Sequence, residues 1–370
     1  MKIPTSSPVM VTGSTGYVGG VLVQQLLDAG LTVHCPVRDP SNPDKIKHLK
    51  NLPGGSDRLV FFKADLLDSG SYTESMKECS VVFHVASPFL MECPKGKEEE
   101  MLINPAVNGT LNVLESAKET DSVKRVVLTS SIVAIATDAQ DCVDARVATG
   151  KMIDEKSWNS SASKDYNPYA FSKTLAERAA WKFVEDNSDT CGFDLVACNP
   201  SFVMGPGIAV HRSAESFKFI QMFGSSPGCP DMGLCFVDVR DVARGHVAAG
   251  FLPSEIVAGQ RYILNGANNK MMGAAKILSE EFPNHPFPTK NVPKWLFWCV
   301  APFLGLQRKY VSRSVGLVME MDNSKSLKDL KENLPEYTPL SKTLHEMFQQ
   351  CIQDGFVPSH GYNKTEAIVG

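Results

Sequence analysis

The chain has 370 residues, 43% of them hydrophobic, a net charge of −4 and a sequence pI of about 6.1. That length supports a large buried core, in one large or two smaller units. The weakly acidic balance lacks the overall basic excess of a nucleic-acid or anionic-surface binder.

The chain starts MKIPTSSPVM, with one lysine and no apolar h-region, so no signal peptide is expected. Strands are predicted at Val9–Thr12, Thr32–Val37, Leu59–Lys63, Val81–Ala86, Arg125–Ser130 and Phe193–Asn199. Their apolar residues run nearly unbroken, as in parallel strands covered on both faces. Helices are predicted to start near Gly19, Lys45, Ser71, Glu99 and Asn167, which makes the first half an alternating α/β pattern.

The first strand runs into Gly13-Ser14-Thr15-Gly16-Tyr17-Val18-Gly19. The glycines allow a sharp turn and close approach of a pyrophosphate, and the following helix start offers free N–H groups and a positive dipole end. Gly13, Thr15, Gly16, Tyr17 and Val18 are the expected contacts. The second strand ends at Arg38, where an NAD enzyme would place an acid for the ribose 2′-hydroxyl. An arginine there suits the 2′-phosphate of NADP, and Lys45 would add a second charge; the alternative is a surface arginine paired with Asp39. Asp65 and Leu66, after the third strand, are expected at the adenine edge. The fourth strand brings Val85, Ala86, Ser87 and Pro88 to the carboxyl edge of the sheet, where ligands bind.

The fifth strand ends in Thr129-Ser130-Ser131. One of these hydroxyls can polarise a substrate carbonyl; Ser131 is chosen, with Ser130 behind it or on the cofactor. Asp138–Lys151 carries Asp138, Asp141 and Asp144 and reads as a solvated loop. Tyr169 and Lys173 then stand four apart, on one face of a helix. The ammonium is expected to lower the phenol's pKa and make Tyr169 the proton donor. Lys173 would also hold the nicotinamide ribose. Pro200 and Val203, after the sixth strand, are expected beside the nicotinamide.

Beyond Pro200 glycine, proline and methionine become frequent. We expect 7–205 plus 234–266 to form the NADP-binding domain, and 206–233 plus 267–360 a substrate-binding lobe. Asp238 and Asp241 read as structural. The segment Trp295–Leu306, WLFWCVAPFLGL, is too short to span a bilayer; it reads as a core helix or a wall of the substrate pocket, with a monotopic membrane contact as the alternative. The 10 cysteines include no C-x-x-C pair and no zinc-finger spacing, so no metal site is expected. Cys79, Cys191 and Cys198 read as small buried hydrophobes in a reduced compartment. Asn-x-Ser/Thr triplets at Asn108, Asn159 and Asn363 carry no meaning without secretion.

The pieces VTGSTGYVGG, PVRDPSNPDKIKHL, KADLLD, VVFHVASP, VVLTSS, NPYAFSKTLAERAAW, NPSFVMGP and FVDVRDVARGH resemble the extended short-chain dehydrogenase/reductases of the NAD-dependent epimerase/dehydratase superfamily. Within them, the chain is similar to the dihydroflavonol reductase/cinnamoyl-CoA reductase group and its microbial aldehyde and ketone reductase relatives. The resemblance implies an α/β fold, a Rossmann-like doubly wound parallel sheet with a smaller, mostly helical C-terminal substrate lobe. It also implies NADP as cofactor and a small carbonyl or alcohol as substrate, with Ser131, Tyr169 and Lys173 in the catalytic roles and Arg38 and Lys45 on the 2′-phosphate. Two departures bear on the substrate. Cinnamoyl-CoA reductases carry N-W-Y-C-Y-G-K around the Tyr/Lys pair, where this chain has NPYAFSK; dihydroflavonol reductases place an asparagine at the position of Ala136. The expected protein is a cytoplasmic monomer or homodimer with no nucleic acid and no stable membrane insertion. Nucleotide-sugar epimerase or dehydratase chemistry and a non-catalytic NADP(H)-binding protein are the competing readings. Ile132-Val133 in place of a dehydratase Asp-Glu pair, and the retained Tyr/Lys pair, speak against them.

Overall fold

A computed structural model describes residues 3–87, 93–94 and 96–362; Pro88 and Asn363 lie outside this set. The strands, in chain order, are β1 (Val9–Thr12), β2 (Val33–Val37), β3 (Leu59–Lys63), β4 (Val81–His84), β5 (Arg125–Thr129), β6 (Asp194–Pro200), β7 (Phe202–Met204), β8 (Cys229–Pro230), β9 (Gly233–Asp238), β10 (Arg261–Leu264), β11 (Ala267–Lys270) and β12 (Asn291–Val292). The helices are α1 (Tyr17–Asp28), α2 (Pro43–Lys50), α3 (Gly55–Arg58), α4 (Thr73–Met76), α5 (Asn104–Lys118), α6 (Ala139–Thr149), α7 (Pro168–Asp186), α8 (Glu215–Phe223), α9 (Val239–Phe251), α10 (Ser254–Val257), α11 (Met271–Glu281), α12 (Lys294–Val300), α13 (Arg308–Ser314), α14 (Ser324–Asp329) and α15 (Leu340–Gln353).

The described residues form a seven-stranded sheet in the order β10-β6-β5-β4-β1-β2-β3, parallel at every pairing. β1 and β4 are buried at every residue. The apolar runs are continuous because α1 and α9 cover one face while α5 and α7 cover the other. Strand order reverses between β1 and β4, so their carboxyl ends flank the crevice where such sheets bind ligands. Thr12 Oγ1 ties the two ends together: it lies 2.9 Å from His84 Nδ1 and accepts from the Ala86 N–H at 3.0 Å.

A three-stranded sheet, β11-β9-β7, carries α8, α11 and α15, and α12 packs on α13. Its core is continuous with that of the large sheet, from Val9 and Leu26 through Phe217 and Phe236 to Phe348. Asp238 caps α9 and binds Arg240 and Thr343, while Asp241 holds Arg244 and Thr338; both are structural, as read from the sequence.

Two expectations are corrected. Asp138–Lys151 is not a solvated loop. Asp138 caps α6, accepts from the Tyr166 hydroxyl, and pairs with Arg313 at 2.7 Å, while Asp141 takes the other Arg313 nitrogen at 2.7 Å. The insertion therefore ties α13 to the chain just ahead of α7. Nor is WLFWCVAPFLGL a core helix, since α12 has no buried residue. Its inner side is a pocket wall; its outer side faces solvent. No helix among the described residues is long and apolar enough to cross a membrane.

Candidate active site

Gly13 adopts φ +66°, and a Cβ there would sit 2.9 Å from the Ala86 Cα. A Cβ on Gly19 would lie 2.1 Å from the Gly13 carbonyl oxygen. The loop therefore closes only with glycine at both places. Gly16 caps α1 without a side-chain hydrogen bond, and the first turn holds no acid. Its leading N–H groups and dipole end are left for an anion. This is a cradle that fits a pyrophosphate.

Arg38 is exposed at the end of β2 and lines the same cleft; among the described residues it enters no ion pair. Asp39, the alternative partner, instead accepts from the Ser41 N–H at 3.0 Å and hydroxyl at 2.6 Å. A free guanidinium at this place fits a ribose 2′-phosphate. Lys45 is exposed on α2 and is not part of the cleft lining. Asp65 turns the chain after β3, accepting from the Leu67 N–H at 2.9 Å.

The cleft has a volume of about 2280 Å³. Among the described residues, every site residue named from the sequence except Lys45 lines it: the glycine loop, Arg38, Asp65, Leu66, Val85, Ala86, Ser87, Ser131, Tyr169, Lys173, Pro200 and Val203. Tyr17 contributes mostly from its backbone side, because its ring packs on Phe217 and its hydroxyl donates to the Gly205 carbonyl at 2.5 Å.

Ser131, two residues past β5, is extended and caps a short turn at Ile132–Ala134, its Oγ accepting from the Val133 N–H at 3.3 Å. Its carbonyl is held by Asn199 Nδ2 at 3.1 Å. Ser130 points the other way, donating to Glu177 Oε2 at 2.6 Å. Asn167 starts α7 in the left-handed region (φ +54°), capping Ala170 N–H at 3.1 Å, and Pro168 follows at the first helical position. Two rigid caps thus fix the turn that carries Tyr169.

The electrostatics correct one expectation. Burial pushes the Tyr169 phenol well up rather than down. Burial also lowers Lys173 to about 8, against an opposing pull from Glu177. Loss of water, which moves the phenol up, acts on the Lys173 ammonium as well and moves it down. His84, behind Lys173, is driven to about 3 by burial first and by Lys173 second, and stays neutral.

Glu177 was not singled out from the sequence. Its Oε2 accepts from Ser130 Oγ at 2.6 Å and Asn199 Nδ2 at 2.8 Å. Its Oε1 accepts from Arg261 Nε at 2.6 Å and Trp181 Nε1 at 3.2 Å. Arg261 in turn stacks on Trp158, 3.9 Å from the ring centroid, and donates to the Glu155 and Ser157 carbonyls. One buried carboxylate on α7 therefore joins the residue after β5 to β6 and β10, one turn beyond Lys173. The available signal was spacing alone: Tyr169, Lys173 and Glu177 follow at four-residue steps.

The same cleft is also lined by the apolar Phe202, Phe219, Met222, Leu234, Met271, Leu296 and Phe297, with polar groups such as Ser213, Ser216 and Gln307 among them. Ala136, where dihydroflavonol reductases carry asparagine, is fully buried in a separate apolar cluster and does not reach it.

The family profile described as "NAD dependent epimerase/dehydratase family" matches residues 9–264. A cinnamoyl-CoA reductase from Medicago truncatula is 35% identical over 353 residues, covering 94% of this chain and 96% of that protein. A tetraketide alpha-pyrone reductase from Arabidopsis thaliana is 37% identical over 286 residues, covering 76% and 83%. Among solved structures, the yeast methylglyoxal/isovaleraldehyde reductase complexed with NADPH superposes with a TM-score of 0.77 at 29% identity, covering 94% of this chain and 99% of that one.

Proposed function

We propose, from the premise that this chain belongs to the NAD-dependent epimerase/dehydratase family and there to its dihydroflavonol reductase/cinnamoyl-CoA reductase-like group, that it is an NADPH-dependent reductase of an apolar aldehyde or ketone. The observation that carries this reading is the meeting of Ser131, Tyr169 and Lys173 with the glycine loop in one cleft.

When bound, NADPH supplies the hydride. The chain's own residues do the rest. The N–H groups at the start of α1 and the Arg38 guanidinium hold the two phosphate positions. Lys173 holds ribose hydroxyls beneath the nicotinamide. The Ser131 hydroxyl donates to the substrate carbonyl oxygen and polarises it. Tyr169 Oη then gives its proton to that oxygen as negative charge develops there. A phenol pushed up by burial stays protonated across neutral pH, which suits a donor to the far more basic oxygen of the product. The Lys173 ammonium stabilises the phenolate left behind, so activity should fall as pH rises through about 8.

The cluster of Phe202, Phe219, Met222, Leu234, Met271, Leu296 and Phe297 on the cleft lining supports a substrate with an apolar body. The division of labour that fits this reading is 7–205 plus 234–266 for the cofactor and 206–233 plus 267–360 for the substrate. The test is NADPH oxidation against aliphatic and aromatic aldehydes, α-ketoaldehydes and flavanonols. Turnover is expected with apolar carbonyls and preference for NADPH over NADH. Tight NADPH binding without turnover of any carbonyl would overturn the reading.

A further inference from the structure

Between Glu281 and Glu320 the sequence has no acidic residue, yet it carries Lys290, Lys294, Arg308, Lys309 and Arg313 in a chain of net charge −4. The same stretch holds α12 and the turn Ala301–Leu304 that follows it. α12 reads KWLFWCV and buries none of these side chains fully. Trp295 is 70% exposed, Phe303 87% and Leu304 56%. A soluble surface rarely leaves such a group of large apolar side chains in contact with water.

The inner and outer sides of this segment differ. Leu296, Phe297, Val300 and Leu304 line the substrate cleft, whereas Trp295, Trp298 and Phe303 do not. Arg308 stands on the outer side, 4.4 Å from the Trp298 ring centroid, and Lys290 is exposed four residues ahead of α12, whereas the Lys294 ammonium donates to the Ser312 and Val315 carbonyls. Arg313 is excluded from this set because Asp138 and Asp141 neutralise it.

Exposed aromatic side chains in a stretch that carries lysines and arginines but no acid of its own match the chemistry of an anionic bilayer surface. Indole and phenyl rings sit at the headgroup level, and lysines and arginines meet the phosphates. A segment of this length lies in the interface plane and does not cross it. We propose that the outer face of α12 and its following turn docks the protein on anionic lipid headgroups. The docked face is the other side of a helix whose Leu296, Phe297 and Val300 line the cleft. The docking itself does not depend on the reductase reading.

The experiment is co-sedimentation of the full chain with phosphatidylcholine vesicles, with and without phosphatidylserine, in low and high salt. Each engaged basic side chain contributes about fivefold in affinity. Binding to the anionic vesicles is therefore expected to be at least tenfold tighter than to the neutral ones. It should weaken as salt shortens the Debye length from about 10 Å at 0.1 M to about 3 Å at 1 M. W295A/F303A should lose about tenfold or more, and K290E/R308E a similar factor, each with unchanged melting temperature and NADPH affinity. Failure of the native chain to sediment with anionic vesicles, or equal sedimentation of W295A/F303A, would overturn the proposal. So would a dimer that W295A/F303A dissolves in the absence of vesicle binding, since a second copy would then cover the patch.

Discussion

Replacing Glu177 by glutamine keeps the side chain's shape and removes its charge, four residues from Lys173 on α7. Residues at this spacing have Cβ atoms about 6 Å apart. At an effective dielectric near 20, unit charges at that distance interact by about 2.8 kcal/mol, and 1.36 kcal/mol corresponds to one pH unit. Glu177 raises the Lys173 pKa against burial, which brings it to about 8. Its neutralisation should therefore move the alkaline limb of kcat/KM down by about 1 to 2 pH units. The same change leaves the Arg261 guanidinium, 8% exposed, facing an amide. Breaking a buried pair from one side costs about 3–5 kcal/mol, which for a chain of this length is a loss of about 4–6 °C in melting temperature. R261M breaks the same pair but keeps the carboxylate beside Lys173, so its alkaline limb should not move down. The assay is the pH profile of kcat/KM for NADPH oxidation, with thermal unfolding run in parallel. If both variants melt early and neither moves the limb, Glu177 is only a structural tie and the electrostatic argument is wrong.

Three further outcomes follow from the geometry. R38D should reverse cofactor preference by about 10- to 100-fold, the scale of a lost charge-assisted phosphate contact; an unchanged NADPH to NADH ratio of kcat/KM would show that Arg38 does not read the phosphate. G19A forces a methyl to 2.1 Å from the Gly13 carbonyl oxygen, so it should lower stability by about 1–3 kcal/mol and weaken NADPH binding, measured by fluorescence titration, by at least about tenfold. His246 is buried between the Thr129 hydroxyl and the Val242 carbonyl, and burial lowers it to about 4. Its contribution to stability is fully present above the unfolded value near 6.5 and is lost as pH falls toward 4. His246→Asn should therefore flatten the fall in urea-unfolding free energy across that window by up to about 1.4 kcal/mol per pH unit, and an unaltered slope would contradict the assignment.

What could be read from the sequence was local. β1 and β3 fall at the expected residues, and β2, β4, β5 and β6 lie within two residues of them, because strands buried on both faces are written as unbroken apolar runs. The glycine loop and the Tyr/Lys face were legible for the same reason: their meaning lies in short spacings on a strand end and a helix. Partnerships across the chain were not. Asp138 seemed solvated because its cation, Arg313, lies 175 residues away. Glu177 seemed unremarkable because Arg261 comes from the edge strand, 84 residues on. Trp295–Leu306 carried the composition of a core helix, but only tertiary placement decides that one side walls a cleft and the other meets solvent. The pKa of Tyr169 misled for a related reason, since spacing reveals the neighbouring ammonium but not the depth at which both groups sit.

The most direct measurement of the central claim is single-turnover hydride transfer by Tyr169→Phe, alongside its NADPH affinity. If Tyr169 Oη delivers the proton, carbonyl reduction should drop by about 10²- to 10⁴-fold while the dissociation constant for NADPH stays within about twofold of the native value. A phenylalanine variant that reduces the same aldehyde at the native rate would remove the phenol from the chemistry and contradict the account.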